Sequence, residues 1–426
     1  MSPSATDQSL VTDPPSPPAE PSTLARNSFF GLVLGGILLV ALTMRAPIIA
    51  IAPSLSVVRD DLGIGAGTAG LFTTIPVLCF GLGTPLVLAL VRRTGINTAV
   101  LVGLAGTVLG IAVRSAGGLT VALIGTLIMG LSITVGNVVI PVIIGRDFPG
   151  RAPTVTAAYS SALNVGSMLA STLSAPLTGL VGWRVSLAAW ALFAVLAGLI
   201  WRPAARRAVP VADEPATAAA ELDELAEETA LPDRPMWRRP LVVGMVLTFA
   251  SQSFSYYGVS AWLPTLLRDD LGLSAGSAGT SSSIFQVVAL VGAFAVPAMI
   301  AGRLSARFVM LSVCAAWIAL PLGLALAPAL WPLWCFFGGA AQGGGFTVIF
   351  SVVVSRAKDI HDSRRTSATI QGVGYCIGAT GPFVVGAVHS LSNGWTAPML
   401  VVAGVIVLMA VGGSSAIGRS KAPTAR

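Results

Sequence analysis

Long apolar runs decide what this chain can fold into. A helix needs roughly 20 mostly apolar residues to cross the hydrocarbon core of a bilayer, because each residue advances the helix axis by about 1.5 Å. Twelve such runs occur, at residues 28–54, 67–91, 97–115, 119–144, 154–181, 184–202, 240–266, 275–301, 307–327, 330–356, 366–391 and 395–417. Charged residues make up only 10% of the 426 residues, too few for the surface of a water-soluble fold of this length. The sequence predicts an all-α membrane protein with twelve transmembrane helices in the lipid bilayer.

An internal copy divides the chain in two. The segment Arg59–Gly70 recurs as Arg268–Gly279, with nine of twelve positions identical. A repeat of this kind predicts two homologous halves, here two pseudo-symmetric six-helix bundles. We therefore expect a disordered tail at 1–27, an N-terminal bundle at 28–202, a Pro-rich and acidic linker at 203–239, a C-terminal bundle at 240–417 and a short tail at 418–426.

The distribution of Lys and Arg predicts the orientation. With both termini in the cytoplasm, 20 of the 25 basic residues lie on the cytoplasmic side, as the positive-inside rule requires. Four, namely Arg59, Arg114, Arg184 and Arg268, are assigned to the opposite loops, and Arg45 to a span. Topology thus explains the net charge of +7, which gives no reason to expect a nucleic-acid partner. We expect a monomeric, multi-pass protein of the cytoplasmic (inner) membrane.

No motif of catalysis or cofactor binding is visible in the sequence. The four cysteines fall in predicted spans on different helices, at spacings that fit no metal site, and are interpreted as packing residues. Glycine tracts lack the Gly-Lys-Ser/Thr ending of a nucleotide loop, and neither HExxH nor a nucleophile elbow occurs. The sequence therefore predicts a protein that is not an enzyme and needs no cofactor or metal.

Arg45 is the charge that a membrane span should not contain. Every one of the 18 Asp and Glu residues falls outside the predicted spans, so no carboxylate at bilayer depth can pair with it. A guanidinium there costs a few kcal/mol unless it faces water or a partner. Two interpretations stay open: Arg45 snorkels to the interface or bonds to backbone carbonyls, or it lines a central cavity and binds an electronegative substrate.

Further polar side chains within the spans are candidate substrate contacts. In the seventh span Gln252 and Tyr256 lie four residues apart and hence on one helix face, with Tyr257 adjacent. The eleventh span repeats this spacing with Gln371 and Tyr375. Single amides occur elsewhere, at Asn137, Asn164, Gln286 and Gln342. Each amide either reads the substrate or forms an ordinary hydrogen bond between helices.

Twelve spans in two related halves resemble the major facilitator superfamily. Several segments are similar to its cyanate and 2-nitroimidazole transporter branch: Arg45-Ala46-Pro47, Arg59–Gly63, Arg146-Asp147-Phe148-Pro149, Tyr159 with Asn164, and Gly182-Trp183-Arg184. The resemblance implies a substrate site between the halves, alternating access, and a small planar or anionic nitrogen compound as the substrate. It also implies that the first, fourth, seventh and tenth spans line the pathway, which favours Tyr256, Gln252 and Asn137 among the polar candidates.

The chain departs from the usual superfamily loop, which carries an Asp after the second span. Neither 88–95 nor the corresponding loop 302–307 contains one. Asp147 beside Arg146 is our candidate for a substitute latch, and a solvated loop pair is the alternative. Energy coupling stays open between proton transfer through His389, Asp60 or Asp269, anion exchange, and uncoupled facilitation.

Two other functions remain compatible with the sequence. An efflux pump would carry neutral or anionic drug-like compounds, because a membrane acid for cationic drugs is missing. A non-transporting membrane sensor would need a folded output domain, and the sequence shows no such domain.

Overall fold

The chain is described by a computed structural model that covers residues 23–148, 150–207, 236 and 238–419. The described part is all-helical, and two 3-10 turns, Ala52–Ser54 and Pro328–Leu330, join its helices. The helices of the N-terminal half are α1 (Thr23–Ile49), α2 (Leu55–Leu62), α3 (Ala66–Leu82), α4 (Thr84–Thr94), α5 (Ile96–Ala116), α6 (Leu119–Asp147), α7 (Ala152–Ala189) and α8 (Ala191–Arg207). Those of the C-terminal half are α9 (Pro240–Leu271), α10 (Ala275–Ala301), α11 (Ala306–Leu326), α12 (Trp331–Arg356), α13 (Ile360–Gly378), α14 (Thr380–Ser392) and α15 (Thr396–Arg419).

The predicted spans all fall on these helices. Within the described residues, eight segments are long and apolar enough to cross a bilayer, and α3 with α4, bent by 60°, makes a ninth. One of the eight, Thr154–Pro203, holds two predicted spans, which Gly182 separates with a left-handed φ of 76°. The remaining two spans, on α9 and on α13 with α14, carry polar side chains in mid-helix and are less apolar. Together these segments form the twelve-helix membrane fold that the sequence predicts.

The two halves meet along two equivalent pairs of helices. In one, α3 packs against α13 and α14, and in the other, α7 packs against α10. Both contacts need glycine: a Cβ on Gly70 would lie 2.5 Å from the carbonyl oxygen of Pro382, and one on Gly279 would collide with the carbonyl oxygen of Ser171. Because the helices touch backbone to backbone, the halves present smooth surfaces to each other.

The internal repeat has the same backbone in both copies. α2 ends at Gly63 and α9 at Gly272, each in the left-handed conformation, with N–H groups that donate to the carbonyls of Arg59 and Arg268. Both copies lie at one end of the bundle, which we call the repeat end; the opposite end, where α1 begins and α8 finishes, is the linker end. Across the halves at the repeat end, Arg268 donates a hydrogen bond to Ser56.

Some helix ends differ from the predicted boundaries. α1 begins at Thr23, inside the segment assigned to a tail, and α8 continues to Arg207, beyond the span predicted to end at 202. Helical hydrogen bonding does not stop where apolar residues do, so a helix can extend past the bilayer core. The rest of the tails and most of the linker, with its acidic tract 221–228, lie outside the described residues, and the domain boundaries stay a prediction.

Candidate functional site

Arg45 crosses from one half of the molecule to the other. It lies on α1, two residues before Pro47, and its Nη1 donates a hydrogen bond of 2.7 Å to the hydroxyl of Tyr256 on α9. Its Cζ lies 5.3 Å from the ring centroid of Tyr256 and 6.0 Å from that of Tyr257, within the range of a cation–π contact. The guanidinium therefore points at the opposite half.

Tyr256 is held in place by a chain of hydrogen bonds. Its hydroxyl accepts from Arg45 and donates to Oε1 of Gln286 on α10 at 3.3 Å, and Nε2 of Gln286 donates to Ser260 at 3.4 Å. Its ring stacks on Phe285 at 6.1 Å between centroids. Gln286 stood among the single amides in the sequence, but its part in fixing Tyr256 depends on a contact 30 residues away. The phenol thus presents one lone pair to Arg45 in a fixed position.

The positive charge of Arg45 has no carboxylate partner among the described residues. Removing a cation from water costs free energy, and the contacts of Arg45 with one tyrosine hydroxyl and two aromatic rings offset this cost only in part. Unlike a buried ion pair, this arrangement keeps a net positive charge available to a ligand.

Gln252 lies one turn from Tyr256 on the same helix. Its Nε2 donates to the main-chain carbonyl of Gln342 on α12 at 3.2 Å, and its amide lies flat against Gly345. The Oε1 atoms of Gln252 and Gln342 are both buried without a hydrogen-bond partner in the described residues. Gly345, which the sequence showed only as part of a glycine cluster, makes room for this amide.

The other candidates occupy different surroundings. Tyr257 is buried with its ring 4.9 Å from that of Tyr256, and Tyr375 contacts Phe249 within its own half and Phe80 of α3 across the halves, at 5.1 Å and 5.7 Å. Nδ2 of Asn164 donates to the carbonyl of Ser160 in its own helix. Asn137 and Gln371 are partly exposed, and their side chains form no hydrogen bond with another described residue. The structure thus brings Arg45, Tyr256 and Tyr257 together, with Gln252 and Gln342 next to them.

The assignment of Arg114 to a loop is wrong. This residue lies in the last turn of α5, is fully buried, and donates from Nη1 to the carbonyl oxygen of Pro47 at 2.8 Å. Its Nε and Nη2 have no partner in the described part of the chain. The predicted span 97–115 already extends past Arg114, but the sequence could not show that α6 packs over this end of α5, with Gly125 against the backbone of Arg114. Arg45 is therefore not the only guanidinium among the membrane helices.

Two of the coupling candidates at the repeat end, His389 and Asp269, both contact Trp395. The ring of His389 stacks on Trp395 at 4.0 Å, and Nε1 of Trp395 donates to Asp269 at 3.1 Å. In the N-terminal half the corresponding tryptophan, Trp183, donates to Asp61 at 3.2 Å. Asp60 is exposed. In both halves a tryptophan indole therefore donates to an acid of the Arg-Asp-Asp tract, but to the second acid in the N-terminal half and to the first in the C-terminal half.

At the linker end, two ion pairs between described residues each join residues of the same half. Arg146 and Asp147 pair with each other at 2.7 Å, so the latch assigned to Asp147 stays a prediction. A second pair, which the sequence did not reveal, joins Arg239 before α9 to Asp362 in the first turn of α13, with contacts of 2.5 Å and 3.0 Å. This pair lowers the pKa of Asp362 and raises that of Arg239, because the hydrogen bonds between them favour both charged forms.

Two apolar helical bundles of this size, related by an internal repeat, are typical of a polytopic membrane protein. The sequence profile of the Major Facilitator Superfamily matches residues 33–379, and the chain belongs to that family. Its family and its relatives identify it as a transporter and not an enzyme.

Two relatives extend over nearly the whole chain. A 2-nitroimidazole transporter of Escherichia coli (strain K12) is 29% identical over 391 residues, or 92% of this chain and 96% of the relative. The cyanate transport protein CynX of the same organism is 25% identical over 389 residues, or 87% and 94%. The chain is therefore related to the branch that its sequence motifs resemble.

Solved structures bear out the fold. A D-xylose–proton symporter has a TM-score of 0.69 at 15% identity, covering 90% of this chain and 97% of that chain. A bacterial homologue of the lysosomal transporter Spinster, in an inward-facing and unoccupied conformation, has a TM-score of 0.69 at 15% identity and covers 93% and 94%.

Proposed function

We propose that this protein is a secondary transporter that moves a small anionic or planar nitrogen-containing solute across the cytoplasmic membrane by alternating access. It acts as a monomer with both termini in the cytoplasm. The single observation that supports the substrate class is the Arg45–Tyr256 contact, a guanidinium without a carboxylate placed against two aromatic rings where the halves meet. The transport relatives named for 2-nitroimidazole and cyanate support the same class.

The position of Arg45 suits a transport cycle. A solute bound between Arg45 on α1 and Tyr256 on α9 touches both halves at once, so its binding energy depends on how the halves are placed. The planar guanidinium can offer two parallel N–H donors to a nitro group or carboxylate, while the tyrosine faces stack on a flat ring. Release follows when the halves rock and this geometry is lost.

Transport by purified protein in proteoliposomes tests the proposal, with radiolabelled 2-nitroimidazole and cyanate as the solutes. Arg45→Lys keeps the charge but loses the two-pronged geometry, and we expect uptake to fall by about tenfold or more. Arg184→Lys is the matched control, because this arginine also lies over an aromatic ring, that of Trp183 at 4.4 Å, but is 41% exposed and lies at the repeat end. Normal uptake by Arg45→Lys would overturn the role of the guanidinium.

Proton coupling is the energy source that we favour. His389 stacks on Trp395 between the acids of the repeat end, and the charge of Asp270 is near enough to interact with it. An imidazole can both accept and donate a proton, and in this proposal His389 takes up a proton on one side of the cycle and releases it on the other. Asp60 and Asp269 are the alternative carriers.

A further inference from the structure

Two buried glutamine oxygens near Arg45 indicate which hydrogen-bonding groups the substrate has. Gln252 is only 4% exposed, and its Oε1 has no donor among the described residues. The orientation of its amide is fixed, because exchanging Oε1 and Nε2 would bring two oxygen acceptors to 3.2 Å at the carbonyl of Gln342. The unpaired atom is therefore an oxygen, not a nitrogen.

A ligand that is bound to Arg45 can extend to the region of Oε1 of Gln252. Gln252 precedes Tyr256 by one helical turn on the same face, which separates them by about 6 Å along the axis. That is roughly the length of a small substituted ring. The amide is also confined by Gly345, where an added Cβ would lie 2.7 Å from Oε1. The buried Oε1 of Gln342, also without a partner in the described part, adds a second acceptor on the neighbouring helix α12.

An unpaired buried acceptor costs free energy unless a donor reaches it. Arg45 and Tyr256 supply the positive and aromatic side of the site, and the glutamine oxygens supply an acceptor side one turn away. From this juxtaposition we infer that the substrate is a small planar compound with an electronegative group for Arg45 and an N–H donor for Gln252, such as a heterocycle with a free ring N–H. A bare anion such as cyanate can contact Arg45, but it has no N–H group to donate to Gln252. This inference rests on the proposed function and narrows its substrate class.

A set of three ligands tests the donor in the unmodified protein. The full chain in detergent is titrated with 2-nitroimidazole, with 1-methyl-2-nitroimidazole, which lacks the N–H, and with 4-methyl-2-nitroimidazole, which has the same added methyl but keeps the N–H. We expect 1-methyl-2-nitroimidazole to bind about tenfold more weakly or worse, since a site built for a donor rejects an analogue without it. The 4-methyl compound should stay within a few-fold of the parent. Equal affinity for all three, or equal losses for both methyl compounds, would overturn the inference.

A variant then locates the acceptor. Gln252→Met keeps the approximate volume and removes the oxygen, so the preference for the parent over its 1-methyl analogue should shrink to within about threefold. Retention of the full preference in both Gln252→Met and Gln342→Met would assign the donor contact elsewhere and overturn the inference.

The outcomes separate this inference from the proposed function. Arg45-dependent binding of cyanate without binding of any nitroimidazole would overturn the N–H requirement and leave the anion site standing. Binding of neither cyanate nor the nitroimidazoles, or binding that Arg45→Lys leaves intact, would overturn both.

Discussion

Replacing Arg114 by Met should stabilise the folded protein. The guanidinium is fully buried, forms one hydrogen bond to the carbonyl of Pro47, and leaves Nε and Nη2 without partners in the described residues. One hydrogen bond from a charged donor contributes about 1.5–3 kcal/mol. Burying an ion without a counter-charge costs several kcal/mol even after relaxation, and the two unpaired donors add to that cost. Methionine fills a similar volume and has no charge, so we expect a gain of about 1–3 kcal/mol in the free energy of unfolding.

The four cysteines supply the assay for this prediction. All are free thiols, and Cys79, Cys314 and Cys335 are buried, so a thiol-reactive fluorescent dye reports unfolding on heating. The midpoint of Arg114→Met should rise by a few degrees over the wild type. Arg184→Met, at a site 41% exposed, is the control and should change little. A midpoint that falls would show that the bond to Pro47 outweighs the cost of the buried charge, and the reasoning would be refuted.

Two further predictions concern the ends of the bundle. In proteoliposomes, an imposed pH gradient should stimulate uptake by the wild type and not by His389→Gln. Substrate counterflow without a gradient should persist in both proteins. Stimulation that survives in the variant would exclude His389 as the proton carrier. At the linker end, Arg239 lowers the pKa of Asp362, so this pair stabilises the fold above the ordinary value of 3.8 and the stabilisation is lost as the pH falls through that value and below it. Asp362→Asn should therefore cost about 1–2 kcal/mol at pH 7 and flatten the acid limb of a thermal-shift profile, and an unchanged profile would contradict the role of the pair.

The fold could be predicted from the sequence because lipid imposes one simple requirement. Each crossing needs a long apolar helix, since no other open structure satisfies its backbone in hydrocarbon, and the positions of such runs are visible by inspection. The copy of Arg59–Gly70 at Arg268–Gly279 then predicts that the chain consists of two related halves. Its structural meaning, two helices that end in left-handed glycines, also follows from the sequence pattern.

The site could be predicted only in part. Arg45 stands out because a charge in an apolar run is visible without knowing its neighbours, and the four-residue spacing of Gln252 and Tyr256 predicts a common face. The partner of Arg45 is 211 residues away, and that of Tyr256 on α10 is 30 residues away, so no local pattern could join them. Arg114 was misplaced for the same reason, since the carbonyl that it holds lies 67 residues earlier in the chain.

Two guanidiniums meet near the end of α1, that of Arg45 on α1 itself and that of Arg114 on α5, and they bond to different halves of the molecule. Arg114 holds the carbonyl of Pro47 from α5, so the last turn of α1 is fastened to the N-terminal half. Arg45, two residues earlier, reaches the hydroxyl of Tyr256 in the C-terminal half. Because one contact lies within a half and the other spans the two, the proposed rocking of the halves would change the Arg45–Tyr256 distance and leave the Arg114–Pro47 distance fixed. A solute that bridges Arg45 and Tyr256 therefore favours the conformation in which both can contact it, which is the differential affinity that any ligand-driven shift between states requires.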